Sequence, residues 1–479
     1  MKNIIAFLAL VFCFSIAAKP IQQHPQNPHY FQYKGEPVVL VTSAEHYGAI
    51  INPDFDFETY LQTLKEIGLN HTRVFMGDYV EPPNAFCIVH NTLSPAPGRF
   101  LPPWKRSDEP GYSLGGNKFD LDEWNPDYFE RAHKFFTLAE ELDIIVEATF
   151  FFEGPTVEHH PMHPSNNINN TTAFKKGRYL TLYNGNVLER QEEYCRKLVR
   201  EFNRYDNIIL NICNEPWFNN HEIPGFSSPP SDEVKDWIYR VSQWIVEEES
   251  QLPNQHLLSI DYTNEGKPID AAYLDNQFKH ITVFSHHYDR DAQSLALNYH
   301  HPVIFSFNET GLMDVHTNQY RVQGWKYMLS GGALYNNLDF TYLVGHEDGS
   351  GTAEFSCGLR GYTGCGDPDM KSQLAVLLDF MNSIDFINMK PNKYVVDLNY
   401  GHEQVFPLVD EGHQYAVYFI GGGTPKIIIA MPQGTYKAEW INPTSGELLK
   451  EETVNVTSDN RFFIGPEYTV DIALRIKKL

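Results

Sequence analysis

The sequence predicts a (β/α)8 barrel followed by a small β-sandwich, and three observations carry that prediction. From about residue 37, short β-rich runs alternate with longer amphipathic stretches. Several of the runs are apolar without alternation, as parallel strands covered on both faces require. After about Pro391 the helical period stops, and β-rich runs punctuated by glycine take over.

Taken in order, the barrel strands are expected at Val38–Thr42, His71–Phe75, Ile144–Phe151, Ile208–Cys213, Leu257–Asp261, Ile281–Ser285, Val303–Phe307 and Ala333–Asn336. Between them, Phe57, Tyr60, Leu61, Leu64 and Ile67 fall at spacings of three and four, and Gly68 supplies the helix stop. Phe129, Ala132, Phe136 and Ala139 repeat that stripe, as do Val234, Trp237, Ile238, Val241 and Ile245, and Leu374, Leu377, Leu378 and Met381 end the series. An open doubly wound sheet is the competing architecture. It would carry a glycine-rich nucleotide loop at its first crossover, and no G-x-G-x-x-G or P-loop stands there. Beyond Tyr394 the runs Tyr415–Ile420, Lys426–Ala430 and Tyr436–Trp440 form the sandwich, whose simplest role is to cover the barrel's flank.

The first residues, MKNIIAFLALVFCFSIAA, have the basic start, apolar centre and small-residue end of a secretory signal. The expected organisation is a signal peptide at 1–18, a barrel domain at 19–392 and an accessory sandwich at 393–479. No later run is apolar for the ~20 residues that span a bilayer. A secreted or periplasmic chain is expected, with cell-surface association left open. Cys357 and Cys365 flank a glycine-rich loop and are candidates for a local disulfide, while Cys195 and Cys213 sit in apolar patterns. Asn70, Asn169, Asn170, Asn308 and Asn455 each begin an Asn-x-Ser/Thr sequon.

A formal charge of -24 argues against nucleic acid, whose phosphates need clustered Lys and Arg. A neutral substrate fits that charge better, and barrel chemistry sits at the carboxyl ends of the strands. Those ends read Ser43-Ala44-Glu45-His46-Tyr47, Arg73 to Asp78, Glu153, Asn214-Glu215, His286-His287-Tyr288, Asn308-Glu309, and Asn336 to Asp348. Glu215 ends strand four and Glu309 ends strand seven, across the barrel mouth from one another. Two carboxylates converging on one bond are the minimal apparatus of glycoside hydrolysis, one protonated as acid and one ionised as nucleophile.

Asn214-Glu215-Pro216, His286-x-Tyr288 and Glu309, in that order on strands four, six and seven, resemble the pattern of clan A glycoside hydrolases, nearest family 5, the cellulase family. HPQNPHYFQYKGEPVVLVTSAEHYG, SFNETG and ALYNNLDFTYLVGHEDG are similar to a bacterial secreted cellulase-like group, so the resemblance covers roughly Pro25 to Pro391. It implies Glu215 as general acid/base and Glu309 as nucleophile of a retaining hydrolase, with no cofactor. It further implies Asn214 on the sugar 2-hydroxyl, Tyr288 and Arg73 supporting Glu309, and His286 lining the same wall. Two features depart from the family: strand eight offers Tyr335, Asn336 and Asn337 in place of a tryptophan, and strand three ends Phe150-Phe151-Phe152-Glu153.

Trp217 is the aromatic expected to stack on sugar, and Asn337, His346 and Glu347 are expected on the substrate rim. The Glu45-His46-Tyr47 cluster either contacts sugar or caps strand one. The loop Glu158-His159-His160-Pro161-Met162-His163 lacks a helical i, i+4 histidine pair, so no metal site is expected. The leading expectation is a retaining β-glycoside hydrolase acting on a polysaccharide or oligosaccharide. A transglycosylase sharing the covalent intermediate and a non-catalytic carbohydrate-binding barrel are the alternatives.

Overall fold

The structure, a computed structural model, describes residues 19–154, 157–172, 177–219, 230–274, 278–311, 318–357, 368–398 and 404–479. The expected signal peptide and Cys365 lie outside the described residues. The barrel strands are β1 Leu40–Ala44, β2 His71–Phe75, β3 Ile145–Phe151, β4 Ile208–Cys213, β5 Leu257–Asn264, β6 Ile281–His287, β7 Ile304–Glu309 and β8 Leu334–Leu338. They pair in parallel in the order β1-β8-β7-β6-β5-β4-β3-β2. At the seam between β1 and β2, side chain replaces ladder. Asn70 accepts from the Val41 amide at 3.0 Å and donates to the Val39 carbonyl at 2.8 Å, as a partner strand would.

Strand β1 starts two residues later than the sequence suggests, because Glu36–Val38 is taken by an antiparallel hairpin with Phe31–Tyr33. That hairpin closes the amino-terminal end of the barrel, with Ile21, Tyr30 and Phe31 buried and the Ile21 amide bound to the Asp206 carbonyl. Helices α1 Phe57–Ile67, α2 Pro126–Glu141, α3 Val187–Phe202, α4 Asp232–Glu249, α5 Gln293–Asn298, α6 Asn318–Leu329 and α7 Pro368–Asn382 cover the outside. Their ends follow local chemistry. Asp56 accepts from the amides of Glu58 and Thr59 at the start of α1, and Gly68 ends it with φ 94°. After β5 the described residues hold only a 3-10 turn, Ala271–Leu274, where a helix is expected. The long connection after β2 carries its own hairpin, Trp104–Pro110 with Asn117–Trp124.

The carboxyl-terminal sandwich packs a six-stranded sheet on a three-stranded one, Val396–Leu398, Lys426–Ala430 and Asn460–Ile464. Its six-stranded sheet covers α6. Trp325 of α6 stacks on Tyr418 at 5.3 Å, and Arg321 makes a two-armed ion pair to Asp471 at 2.7 and 2.9 Å. Helix α6 is therefore buried almost all round, which explains why its sequence shows little amphipathic contrast.

The cysteine expectation is corrected. Cys357 pairs with Cys87, from the loop after β2, with Cα atoms 5.5 Å apart. A partner 270 positions away leaves no local signature in the sequence. Cys195 and Cys213 are buried free thiols.

Candidate active site

Glu309 is the last residue of β7 and is held from three sides. Tyr47 and Arg73 Nη1 each donate to Oε2 at 3.1 Å, and Tyr288 donates to Oε1 at 3.1 Å. Three donors, a guanidinium and two phenols, fix the orientation of this carboxylate. Tyr47 and Tyr288 reach it from left-handed backbone, φ 70° and 52°, just past the ends of β1 and β6. Residues other than glycine adopt that conformation at a cost, and such residues gather at functional sites.

Glu215 follows β4, also with positive φ (42°), and its Oε1 lies 2.8 Å from Nδ1 of His287. Burial and then the charge of Glu309 push its carboxyl up to about 7, while His287 pulls the other way. The two carboxylates thus differ in surroundings. Glu309 faces the guanidinium directly, and Glu215 is left with one imidazole.

Beneath the pair lies a buried acid from β5. Asp261 Oδ2 accepts from Arg73 Nη2 at 2.8 Å and from the Glu215 amide at 3.3 Å, and stands 3.2 Å from His287 Nε2. The last contact is an ion pair rather than an aligned hydrogen bond. Oδ1 accepts from Asn211 and Asn308, each at 3.0 Å. Burial opposes the charge of Asp261, but Arg73 and His287 hold it well below the usual carboxylate range. Burial likewise opposes the charge of His287, and the charges of Glu309 and Asp261, with its contacts to Asp261 and Glu215, raise it to about 10. Glu147 of β3 shares the network through Ser259 and Asn308, and its carboxyl is raised by burial.

One carboxylate oxygen from Glu215, one from Glu309 and a ring nitrogen of His287 lie within 4.8 Å of one another. Such a trio has the donor types of a divalent-cation site. Both ring nitrogens of His287 already face acids in this arrangement, Nδ1 towards Glu215 at 2.8 Å and Nε2 towards Asp261 at 3.2 Å. His287 therefore acts here as a donor between acids.

The carboxylates open into a cavity of about 670 Å³. Phe75, Phe86, Ile88, Phe152 and Phe340 line one part, and Asn264, Glu265, Arg290, Asp291 and Gln293 another. Asn214 lines it too, and its Oδ1 has no hydrogen-bond partner among the described residues. At the end of β8, the cavity wall is Leu338 and Phe340 rather than Tyr335 or Asn337.

The structure brings together Glu215, Glu309, Arg73, Tyr288, Asn214 and His46, and it places the other expected residues elsewhere. His286 faces away from the barrel axis against Tyr262 at 5.8 Å, and burial lowers it to about 4. The inward histidine is its neighbour, because side chains alternate along β6. Trp217 is only 2% exposed and sets its ring edge against His287, so it supports the site instead of facing sugar. Glu45 is buried and caps the turn after β1, accepting from Thr92 and the Ala49 amide. His46 lines the cavity and bonds Asn91 at 3.0 Å. Asn337 is buried on Ser43. Glu347 accepts from the amides of Gly345 and Asp56, and His346 is exposed beside Ser350, lining a separate surface cavity. Tyr47 and His287 stand in strand-end clusters that the sequence marks, though without the contacts to Glu309 and Glu215 seen here, and Asp261 is a site residue that sequence reasoning left out.

The fold and site define a (β/α)8-barrel protein with a paired-carboxylate centre at the carboxyl ends of β4 and β7. Solved structures place that fold more narrowly. A glycoside hydrolase family 5 protein from Bacteroides vulgatus matches with TM-score 0.63 at 12% identity, over 96% of this chain and 93% of its own. A protein named simply as a glycoside hydrolase matches with TM-score 0.62 at 12% identity, over 96% and 97%. A second Bacteroides vulgatus protein, named as a candidate glycoside hydrolase, matches with TM-score 0.66 at 14% identity, over 97% and 83%. The chain thus has the barrel-plus-sandwich fold of these proteins. No family model matches the sequence, and no curated protein does.

Proposed function

We propose that the protein is an exported retaining β-glycoside hydrolase acting on a polysaccharide or oligosaccharide. The observation that carries the reading is the Glu215–Glu309 pair, with carboxylate oxygens within 4.8 Å at the mouth of an aromatic-walled cavity. Retaining glycosidases hold their carboxyl groups about 5–5.5 Å apart, whereas inverting ones leave ~6.5–9.5 Å for a water. That two of the oxygens come within 4.8 Å agrees with the retaining arrangement.

In this reading Glu309 attacks the anomeric carbon while Glu215 gives its proton to the leaving oxygen. The glycosidic bond breaks as the ester to Glu309 forms. Glu215, now ionised, takes a proton from water as that water displaces Glu309, and the sugar leaves with its configuration retained. Arg73, Tyr47 and Tyr288 hold Glu309 and aim it, and Asn214 offers its free oxygen to a sugar hydroxyl. His46 lines the cavity for the same ligand. The Cys87–Cys357 disulfide supports export, since such bonds persist in oxidising compartments. Among the described residues no helix is long and apolar enough to cross a membrane.

The test is the anomer of the first-formed product, followed by proton NMR on a substrate found by screening aryl glycosides and polysaccharides. Retention is expected; initial inversion would refute the mechanism. Glu309→Ala should abolish turnover, and azide should restore part of it as a glycosyl azide.

A further inference from the structure

The loop that follows β2 presents Phe86 to the cavity in an unusual way. Phe86 is 44% exposed, yet lines the same cavity as Glu215 and Glu309. Asn84, Phe86 and Cys87 all have left-handed backbone, with φ 62°, 52° and 65°. Three such residues in four, none of them glycine, will not hold that shape unless something else fixes it.

What fixes it is the loop after β8. Cys87 is bonded to Cys357, Ile88 bridges antiparallel to Phe355, and the amides of Val89 and Ser356 bind Glu354 and Cys87 carbonyls at 3.0 and 2.8 Å. Phe355 in turn packs edge-on against Phe340 at 5.5 Å, another cavity residue. The cross-link therefore supports a continuous apolar wall of Phe86, Ile88 and Phe340. By strand order, β5 and β6 stand across the barrel from β1, and their loops supply Glu265, Arg290, Asp291 and Gln293 to the other side. The first side sets Phe86, Ile88 and Phe340 beside His46 and Glu81, whereas the other is rich in hydrogen-bonding groups throughout. A pyranose is two-faced in the same sense, with C–H bonds on its flat face and hydroxyls around its edge.

We infer that Phe86 is a stacking platform for a sugar unit of an oligosaccharide beyond the cleaved bond, held in place by the Cys87–Cys357 cross-link. The inference rests on the glycosidase reading and deepens it. Phe86 touches none of the carboxylate machinery, so its contribution belongs to binding of longer substrates.

The experiment compares full-length wild type, Phe86→Ala, Phe86→Trp and Cys357→Ser on the shortest aryl glycoside the enzyme cleaves and on oligomers of the same sugar. Phe86→Ala is expected to raise KM for the oligomers about tenfold and to leave kcat/KM on the aryl glycoside within about twofold. Phe86→Trp should keep the oligomer KM. Cys357→Ser, or reduction of the wild type, should reproduce the length-dependent loss. If Phe86→Ala hydrolyses both substrates as wild type does, the platform is refuted while the glycosidase reading stands. If the wild type cleaves no glycoside, both fall together. Should Cys357→Ser fail to fold, the two Phe86 variants still decide the matter.

Discussion

Asp261 stands 3.2 Å from His287, on the opposite side of the imidazole from Glu215. The same carboxylate binds Arg73 at 2.8 Å. One buried acid thus anchors both cations that face the Glu215–Glu309 pair, and the two halves of the site share a single support. Removing it should be felt first at the ring. In Asp261→Asn, the His287 pKa should fall from about 10, read by NMR titration of the imidazole nitrogens. A ring still titrating near 10 would show that Glu215 and Glu309 alone sustain its charge.

The pH dependence of kcat/KM should fall on its basic side. Glu215 must carry a proton to act as acid, and its carboxyl is raised to about 7 by burial and Glu309. Activity should therefore be present below that value and drop tenfold per pH unit above it. A profile flat to pH ~9 would argue against Glu215 as the proton donor.

His287→Gln removes a positive charge that lowers the Glu215 pKa. The basic limb should move upward in pH, with kcat reduced ~10–100-fold by the loss of orientation. An unchanged limb would separate His287 from Glu215 function.

His71 is buried, and burial lowers its pKa to about 3, from an ordinary value of 6.5. The unfolded chain binds this proton at a higher pH than the native one does. Stability from His71 is therefore complete above about 6.5 and is lost as pH falls toward 3, with a slope of up to ~1.4 kcal/mol per pH unit. Urea midpoints of His71→Phe should decline less steeply across that window than those of the wild type.

Arg321→Ala should destabilise the whole chain by ~3–5 kcal/mol, because it strands buried Asp471 between the domains. Calorimetry should show the change. A variant that melts like the wild type would mean the sandwich contributes little to holding α6.

Much of this molecule is legible from periodicity, and the remainder fails for identifiable reasons. Strands β2 and β4 begin and end where the sequence places them, and β4 does so because burial on both faces demands a mostly apolar run. Glu215, Glu309 and Arg73 are found by asking what ends or lines each strand. His286 and His287 cannot be told apart that way, since the face each takes depends on where β6 starts to alternate, and one residue of register exchanges them. Tyr47 reaches Glu309 only because its backbone turns left-handed, which a tyrosine does not announce. Asp261 ends the run Leu257–Asp261 that the sequence marks as the fifth strand, so asking what ends each strand reaches it too, although β5 itself runs on to Asn264. Glu45 and Glu347 look equally reactive in sequence, and their hydrogen bonds to amides show them to be caps.

The amide of Asn70 that closes the barrel between β1 and β2 also opens an Asn-His-Thr sequon. A glycan attached there would occupy the nitrogen that binds the Val39 carbonyl. Oligosaccharyltransferases meet chains before they finish folding, so production in a yeast or insect secretory host sets glycosylation in competition with barrel closure. Whichever reaction comes first at that nitrogen decides whether the seam keeps its side-chain bond to Val39 or relies on the remaining bonds, such as Phe75 N–H to the Tyr47 carbonyl.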